Sequence, residues 1–125
     1  MTAPADDPLD PTLPIVAARA AAAKGAEDIV VLRVGEVLAI TDYFVIASAS
    51  NSRLVRAVVA EIEEQVGRTS GDKPVRIEGM AEGEWVLVDY GVFVVHVFHV
   101  ETRSYYELER LWADVPSLDW AEGQP

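Results

Sequence analysis

Cysteine is absent from this chain of 125 residues, which excludes disulfide bonds within the chain and metal sites built on thiolates. Long apolar runs are absent too, because charges or glycines interrupt every apolar stretch well short of the ~20 residues that a membrane-spanning helix needs. The N-terminal segment is acidic and rich in proline and lacks the basic region and apolar run of a signal peptide. We therefore expect a cytoplasmic protein that does not enter a membrane.

Basic residues are scarce relative to acidic ones. Ten Lys and Arg residues stand against 21 Asp and Glu residues, and the formal net charge is −11. A surface that binds nucleic acid needs clustered Lys and Arg to neutralise phosphates, so direct contact with nucleic acid is not expected as the main interaction. An acidic surface favours either solubility alone or a basic protein partner, whose encounter the charge would accelerate.

Patterns that carry catalysis or bind cofactors are missing as well. His96 and His99 are three positions apart on a predicted strand, so they point to opposite faces and cannot share a metal ion without distortion. The glycines have neither the spacing nor the Lys-Ser/Thr ending of a phosphate-binding loop. Two-metal phosphoryl or nucleotidyl transfer needs clustered carboxylates, but Leu87 and Gly91 occupy the positions two residues from Asp89. We expect no catalytic residue, no metal and no cofactor.

The chain does contain helix and strand patterns in the order α-β-β-α-β-β-β-α. The strands are rich in β-branched and aromatic residues, and the helices show an apolar stripe or a run of alanine. The first predicted elements are a helix from Pro14 to Gly25 and strands at 28–34 and 43–49. A second helix has its N-cap within 50–52 and begins to end at Gly67. A strand at 75–78, a hairpin within 84–99 and a helix that starts at the capping box Ser104-x-x-Glu107 follow.

These elements predict a single mixed sheet. The strand–helix–strand crossover from residue 43 to residue 75 implies parallel pairing at that point, whereas the hairpin is antiparallel. The fold class is therefore α/β (α+β), with a mixed sheet of about five strands and flanking helices. Residues 1–13 are predicted to be a disordered, acidic and Pro-rich tail, residues 14–113 the domain, and residues 114–125 an acidic C-terminal tail.

The predicted hairpin has two faces of different composition. With a two-residue turn at Tyr90-Gly91, Asp89 pairs with Val92 and Trp85 pairs with His96. One face then carries Trp85, Leu87, Asp89, Val94, His96 and Phe98, and the other carries Val86, Val88, Tyr90, Phe93, Val95 and Val97. The second face suits a core, and the first has the mixed composition of an interface. A three-residue turn would regroup the faces, and Trp85 as ordinary core with Asp89 as a turn residue is the alternative interpretation.

Several short sequence strings follow one another along residues 14–113. They are Asp42-Tyr43-Phe44-Val45-Ile46, Ser52-Arg53, Glu78-Gly79, Trp85-x-Leu87-x-Asp89-x-Gly91, Val94-Val95-His96-x-Phe98 and Arg103-x-Tyr105-Tyr106-x-Leu108-Glu109-x-Leu111-Trp112. Together these strings resemble the ribosomal silencing factor S family, which is also called the Iojap-like family.

This resemblance implies a nucleotidyltransferase-like fold without the catalytic carboxylate pair. It implies binding to the large ribosomal subunit through its basic ribosomal protein fourteen, where the bound protein sterically blocks joining of the small subunit. Translation would thereby be repressed, notably in starvation and stationary phase. By motif position, Trp85 and Asp89 match residues of that interface, and further motif positions are His96, Tyr105, Tyr106 and Glu109.

The acidic composition fits this implied partner. Glu78, Glu82 and Glu84 would form a rim that steers a basic protein, while Trp85 supplies a desolvated anchor. Two alternatives remain open at this point. One is a nucleotidyltransferase-like enzyme with an unusual acidic site, and the other is a homodimeric interaction module with another basic partner, in which the free protein self-associates.

Overall fold

One mixed sheet organises the computed structural model of the chain, which describes residues 10–35, 41–106, 110 and 112–121, with only the backbone of residues 105 and 106. The elements up to the last helix follow the predicted succession, and a short sixth strand comes after it. In chain order they are α1 (Thr12–Ala23), β1 (Glu27–Arg33), β2 (Tyr43–Ala49), α2 (Ser52–Ser70), β3 (Arg76–Glu78), β4 (Trp85–Asp89), β5 (Phe93–His99), α3 (Val100–Tyr106) and β6 (Ser117–Leu118).

The sheet has the order β3-β4-β5-β2-β1-β6. Its central pair, β2 with β5, is parallel, and the other neighbouring pairs are antiparallel. The prediction that β2 pairs directly with β3 is wrong, although the two strands run in the same direction. β5 takes the place beside β2 because it is apolar on both faces, which suits a central position, whereas β3 is short and exposed and lies at the edge.

One face of the sheet carries the larger core. α1 and α2 cover it, and the predicted apolar stripe of α2 is buried there. α1 packs through small side chains, since Ala17, Ala18 and Ala21 have no exposed surface, and this allows its backbone to approach closely. The inward residues of the sheet on this side are Val31, Tyr43, Val45, Ala47, Ala49, Val86, Val88, Phe93, Val95 and Val97.

The opposite face is covered over only part of its width by the described residues. A smaller cluster forms around Ile46 and Phe98, and Trp112 and Val115 pack against it from the C-terminal segment. α3 is joined to this side by Arg103, whose Nη1 donates to the Ser48 hydroxyl at 2.8 Å. The described residues leave the β3–β4 side of this face partly accessible, and this side carries Trp85, which is 41% exposed.

The hairpin turn lies one residue later than predicted. Tyr90 N–H donates to the Phe93 carbonyl at 2.9 Å, so the turn residues are Gly91, with a φ of 88°, and Val92. The observed pairs are Asp89 with Val94, Leu87 with His96 and Trp85 with Phe98. The predicted pairings are thus wrong by two residues. Because side chains alternate with a period of two, the predicted division into two faces is nevertheless confirmed.

Two helix ends differ from the sequence prediction. α2 continues past Gly67 to Ser70 and ends at Gly71, which has a φ of 79° and donates to the Gly67 carbonyl at 2.8 Å. A mid-helix glycine costs about 1 kcal/mol, and the added turn carries side-chain bonds from Thr69 to the Gln65 carbonyl and from Ser70 to the Val66 carbonyl. The predicted start of α2 is confirmed, since the Asn51 side chain accepts from the Leu54 amide at 2.8 Å.

α3 begins directly after β5, so the predicted capping box is wrong in its position. Ser104 lies inside the helix, and Glu107 is outside the described residues. The first turn is capped instead by His99, whose Nδ1 accepts from the Glu101 amide at 3.1 Å. An imidazole nitrogen thereby satisfies one of the N–H groups that a helix start leaves without an intrahelical partner.

The C-terminal segment adds a sixth strand where the sequence predicted about five strands and an acidic tail. Ser117 and Leu118 pair with β1, and the Trp120 Nε1 donates to the Ile29 carbonyl at 3.0 Å. Arg19 of α1 donates to the Trp120 carbonyl at 2.9 Å. The predicted boundary at residue 113 therefore separates β6 and Trp120 from the sheet they complete.

At the other end, Asp10 accepts from the amide and the hydroxyl of Thr12, so residues 10–13 enter or adjoin α1. The rest of the predicted N-terminal tail, residues 1–9, lies outside the described residues. No helix in the described ranges combines the length and apolar character needed to cross a membrane. The nucleotidyltransferase-like label implied by the resemblance stays a prediction.

Trp120→Ala tests whether the C-terminal segment belongs to the folded unit. The substitution removes a half-buried indole and its hydrogen bond to β1, and we expect it to lower the free energy of unfolding by about 2 kcal/mol. Urea denaturation measures this change. Asp114→Ala, at an exposed position in the same segment, serves as the control and should change stability little. Equal stabilities would show that the segment contributes nothing.

Candidate functional site

An array of five rings runs across the partly covered face of the sheet, and we call it the aromatic face. It consists of Phe44, Trp85, His96, Phe98 and Trp112. Phe44 meets His96 edge-on at a centroid distance of 4.6 Å and Trp112 at 5.1 Å. Trp85 lies 4.9 Å from Phe98 and 6.1 Å from His96. The array therefore extends from the C-terminal segment, over the central strands, to β4.

Trp85 is the exposed end of this array. The residue is 41% exposed, although it stands at the first position of β4 and, among the described residues, lies against the rings of His96 and Phe98. Its Nε1 donates to the His96 Nδ1 at 3.1 Å. A large ring that is half in contact with the protein and half open has the character of an interface anchor, because a partner can bury the remainder.

The loop that precedes Trp85 is held by α2. Arg56 donates through Nε to the Met80 carbonyl and through Nη2 to the Ala81 carbonyl, each at 2.8 Å. At Gly79 the φ is 92°, and a Cβ atom there would overlap the Trp85 carbonyl oxygen. The Arg56 hydrogen bonds and the close approach at Gly79 together hold the loop against the start of β4.

His96 lies under Trp85 in the interior of the array. It is 8% exposed, and burial lowers the pKa of its imidazole from 6.5 to about 4. The ring is therefore neutral at physiological pH. Because its Nδ1 accepts a hydrogen bond, the proton is on Nε2, and this atom has no partner among the described residues.

Asp89 has two local interactions at the end of β4. Its Oδ1 accepts from the Gly91 amide at 2.8 Å, and its Oδ2 lies 3.4 Å from the Arg76 Nε. Arg76 also lies 3.3 Å from Glu78, with both of these side chains well exposed. Such exposed pairs contribute little to stability. Asp89 is thus a turn residue, as the alternative interpretation of the sequence had it. Its half-buried carboxylate also borders the accessible side of the aromatic face.

The predicted interface residues fall into three groups. Trp85, Asp89, His96 and Glu78 share one face of the sheet, because their positions on β3, β4 and β5 have the same parity. Glu82 and Glu84 are exposed in and after the loop held by Arg56. The side chains of Tyr105 and Tyr106 and the whole of Glu109 are outside the described residues. A partner-binding role for these nine residues stays a prediction.

Sequence reasoning missed three residues that shape the site. Phe44 and Trp112 complete the array, and Arg56 holds the loop. The alternation of β2 places Phe44 opposite the core face, but its contact with His96 depends on β2 lying beside β5. Arg56 falls off the apolar stripe of α2, which is equally typical of a solvated side chain, so no local signal separates the two cases.

A cavity of about 210 Å³ lies beside the array, lined mainly by apolar side chains of β1, β2 and the C-terminal segment together with Arg103. Arg103 is buried and donates to the Asp28 carbonyl and the Ser48 hydroxyl. These bonds connect α3 to β1 and β2, so the role of Arg103 is structural. Among the described residues, no three His, Asp or Glu side chains are grouped as a metal site would require.

Comparison with known proteins gives one consistent family. The family described as ribosomal silencing factor during starvation matches residues 9–125. The ribosomal silencing factor RsfS of Bacillus subtilis (strain 168) is 43% identical over 104 residues, which cover 83% of this chain and 87% of that protein. The mouse protein named mitochondrial assembly of ribosomal large subunit protein 1 is 38% identical over 91 residues, which cover 71% of this chain and 40% of that protein.

The fold has solved counterparts. A crystal structure from Bacillus halodurans has a TM-score of 0.74 at 34% sequence identity, covering 88% of this chain and 99% of that chain. A second crystal structure, from Chromobacterium violaceum, has a TM-score of 0.76 at 29% identity, covering 91% of this chain and 97% of that chain. The mixed sheet with flanking helices is thus shared along nearly the whole length of both proteins.

Gly79→Ala tests the steric requirement before β4. Gly25→Ala is a matched control, because Gly25 has a similar φ of 97° and a Cβ added there would meet no heavy atom within 4 Å. The control should lose about 1 kcal/mol of stability through backbone strain alone. Gly79→Ala should lose about 2 kcal/mol more because the clash with Trp85 adds to that strain. Urea denaturation decides, and equal losses would contradict the close approach.

The burial of His96 predicts a pH dependence of stability. Between pH 6.5 and about 4, the unfolded chain binds a proton on this residue that the folded protein does not bind. The free energy of unfolding should therefore fall with decreasing pH in this window, by up to about 1.4 kcal/mol per pH unit from this residue. His96→Asn should reduce the slope measured by urea denaturation at several pH values. Identical slopes in both proteins would contradict the buried neutral imidazole.

Proposed function

The chain belongs to the ribosomal silencing factor family, as its motifs predicted, and from this membership we propose that it binds the large ribosomal subunit through ribosomal protein fourteen and sterically prevents the small subunit from joining. The family has a ribosome-associated silencing role, which is regulatory rather than enzymatic. In the proposed mechanism translation is repressed in the cytoplasm, notably in starvation and stationary phase, without catalysis by this protein.

The observation that carries the proposal is the exposed Trp85 on a sheet face that the described residues leave partly uncovered. A tryptophan at such a place can bury a large apolar area on binding, and interface energy is concentrated in residues of this kind. The loop held by Arg56 and the contacts with Phe98 and His96 keep the ring in place before binding. Less conformational entropy is then lost when the complex forms.

Charge supports the choice of a basic partner. The formal net charge is −11, and Glu78, Glu82 and Glu84 are exposed around Trp85. A basic ribosomal protein would be attracted to this side of the molecule before it makes specific contacts. The name of the mouse relative refers to assembly of the ribosomal large subunit, which supports the large subunit as the site of binding. We include Asp89, Tyr105, Tyr106 and Glu109 in the proposed interface through their motif positions.

A steric mechanism asks only for tight binding at a place that the small subunit would otherwise occupy. No proton transfer, metal or cofactor is needed, so a binding surface suffices. A homodimer of the free protein through the same face stays compatible with this proposal, because ribosomal protein fourteen would displace the second copy. The contacts of Asp89 with Gly91 and Arg76 favour a turn and interface role for this residue over a catalytic one.

Trp85→Ala is the decisive substitution. We expect it to raise the Kd for purified large subunits by about 30-fold, which corresponds to about 2 kcal/mol for an interface anchor, and to restore joining of small subunits in a light-scattering assay. Val75→Ala is the control, because it also removes an apolar side chain, which is 74% exposed, and Val75 lies outside the aromatic face, just before β3. A folded Trp85→Ala protein that cosediments fully with large subunits would contradict the proposed anchor.

The acidic rim is tested by charge reversal at exposed positions. Glu82→Lys combined with Glu84→Lys should lower the association rate at low salt, and the difference from wild type should shrink above about 0.1 M salt as screening shortens the range of the field. Glu64→Lys combined with Asp72→Lys, at exposed positions on and after α2, makes the same change in net charge away from this face and serves as the control. Asp89→Lys is unsuitable for this purpose, since it would also remove the bonds to Gly91 and Arg76.

A further inference from the structure

We propose that His96 is a positioning residue whose Nδ1 atom holds the Trp85 indole in its binding orientation. This inference rests on the proposed function, because it concerns how the anchor of that interface is prepared. The hydrogen bond from the indole Nε1 to Nδ1 measures 3.1 Å. It connects an exposed side chain on β4 to a buried one on the central strand β5.

The geometry of the hairpin makes this contact possible. Trp85 is paired with Phe98, and His96 is paired with Leu87, so Trp85 and His96 are diagonal neighbours on one face. Long side chains reach across such a diagonal. Among the described residues, the indole is restrained by its ring contact with Phe98 at 4.9 Å and by its N–H on the imidazole. The hydrogen bond fixes the direction in which the N–H edge of the ring points, which the ring contact does not.

His96 is itself restrained and can therefore serve as a fixed point. Phe44 packs edge-on against its ring at 4.6 Å, and Trp112 packs on Phe44 at 5.1 Å. Its backbone belongs to the parallel pair at the centre of the sheet, opposite Ile46. An acceptor on a rigid element positions a donor more closely than one on a loop, and restricting a side chain before binding lowers the entropy lost in the complex.

The chemistry of the imidazole suits this role at neutral pH. Burial in an apolar environment keeps the ring uncharged, with a pKa of about 4, so Nδ1 retains the lone pair that accepts the indole proton. A leucine of similar bulk would fill the space but offer no acceptor. An asparagine is smaller, but its side-chain oxygen can take the place of Nδ1. These two residues therefore separate the hydrogen bond from the packing.

The test is a set of variants measured for binding to purified large ribosomal subunits. His96→Leu should weaken binding by about three- to tenfold, mainly through faster dissociation, and His96→Asn should recover most of the affinity. The same two substitutions are then made with Trp85→Phe, which keeps an aromatic ring but has no N–H donor. In that background His96→Leu and His96→Asn should bind equally well. Urea denaturation of each variant confirms that the folded fraction is the same.

A second readout uses the free protein and needs no partner. Exchange of the Trp85 indole proton with solvent, followed by NMR, should be faster in His96→Leu than in wild type and near the wild-type rate in His96→Asn. If Trp85→Ala weakens binding but His96→Leu binds and exchanges like wild type, the positioning role is wrong and the proposed function stands. If Trp85→Ala binds like wild type, the proposed anchor is wrong, and the role of His96 in binding is overturned with it.

Discussion

The parallel pairing of β2 with β5 is the interaction on which the rest of the structure depends. It joins the N-terminal part of the sheet to the hairpin through seven consecutive residue pairs, from Tyr43 with Phe93 to Ala49 with His99. Both strands are buried on both faces over most of their length. One set of their side chains forms the core under α1 and α2, and the other set brings Phe44 beside His96. Without this pairing neither the core nor the aromatic face would exist.

The two faces of the sheet have different uses because they are covered to different extents. The helical side is filled by aliphatic residues with no exposed surface, which gives a rigid support. The other side ends in Trp85, whose ring lies against Phe98 and donates to His96 and which stays 41% exposed. A rigid support under an exposed aromatic ring, bordered by carboxylates such as Glu78 and Glu84, fits the proposed binding to a basic protein.

Much of the hairpin could be predicted because the faces of its side chains follow from the local order of residues. Alternation along β4 and β5 assigns each side chain to a face, and a turn displaced by one residue moves the pairing by two, which preserves that assignment. In the observed turn the Gly91 amide donates to the Asp89 side chain, which is the turn role that the sequence offered for Asp89 as an alternative. The docking of Trp120 was missed because a hydrogen bond to the distant Ile29 carbonyl outweighs the acidic composition of the segment. The end of α2 was missed because two glycines offer a stop, and Gly71 rather than Gly67 takes the left-handed conformation.

Local pattern was enough to predict the succession of elements as far as α3, the apolar stripe of α2, the two faces of the hairpin, the acidic charge and the family. These properties depend on residue type and on periods of two or 3.6 residues along the chain. The packing of the folded chain was needed to show that β5 lies beside β2, that Arg56 holds the loop before Trp85, and that β6 pairs with β1. These contacts depend on burial and hydrogen bonding between segments far apart in the chain. A local pattern does not indicate which distant segment will be adjacent.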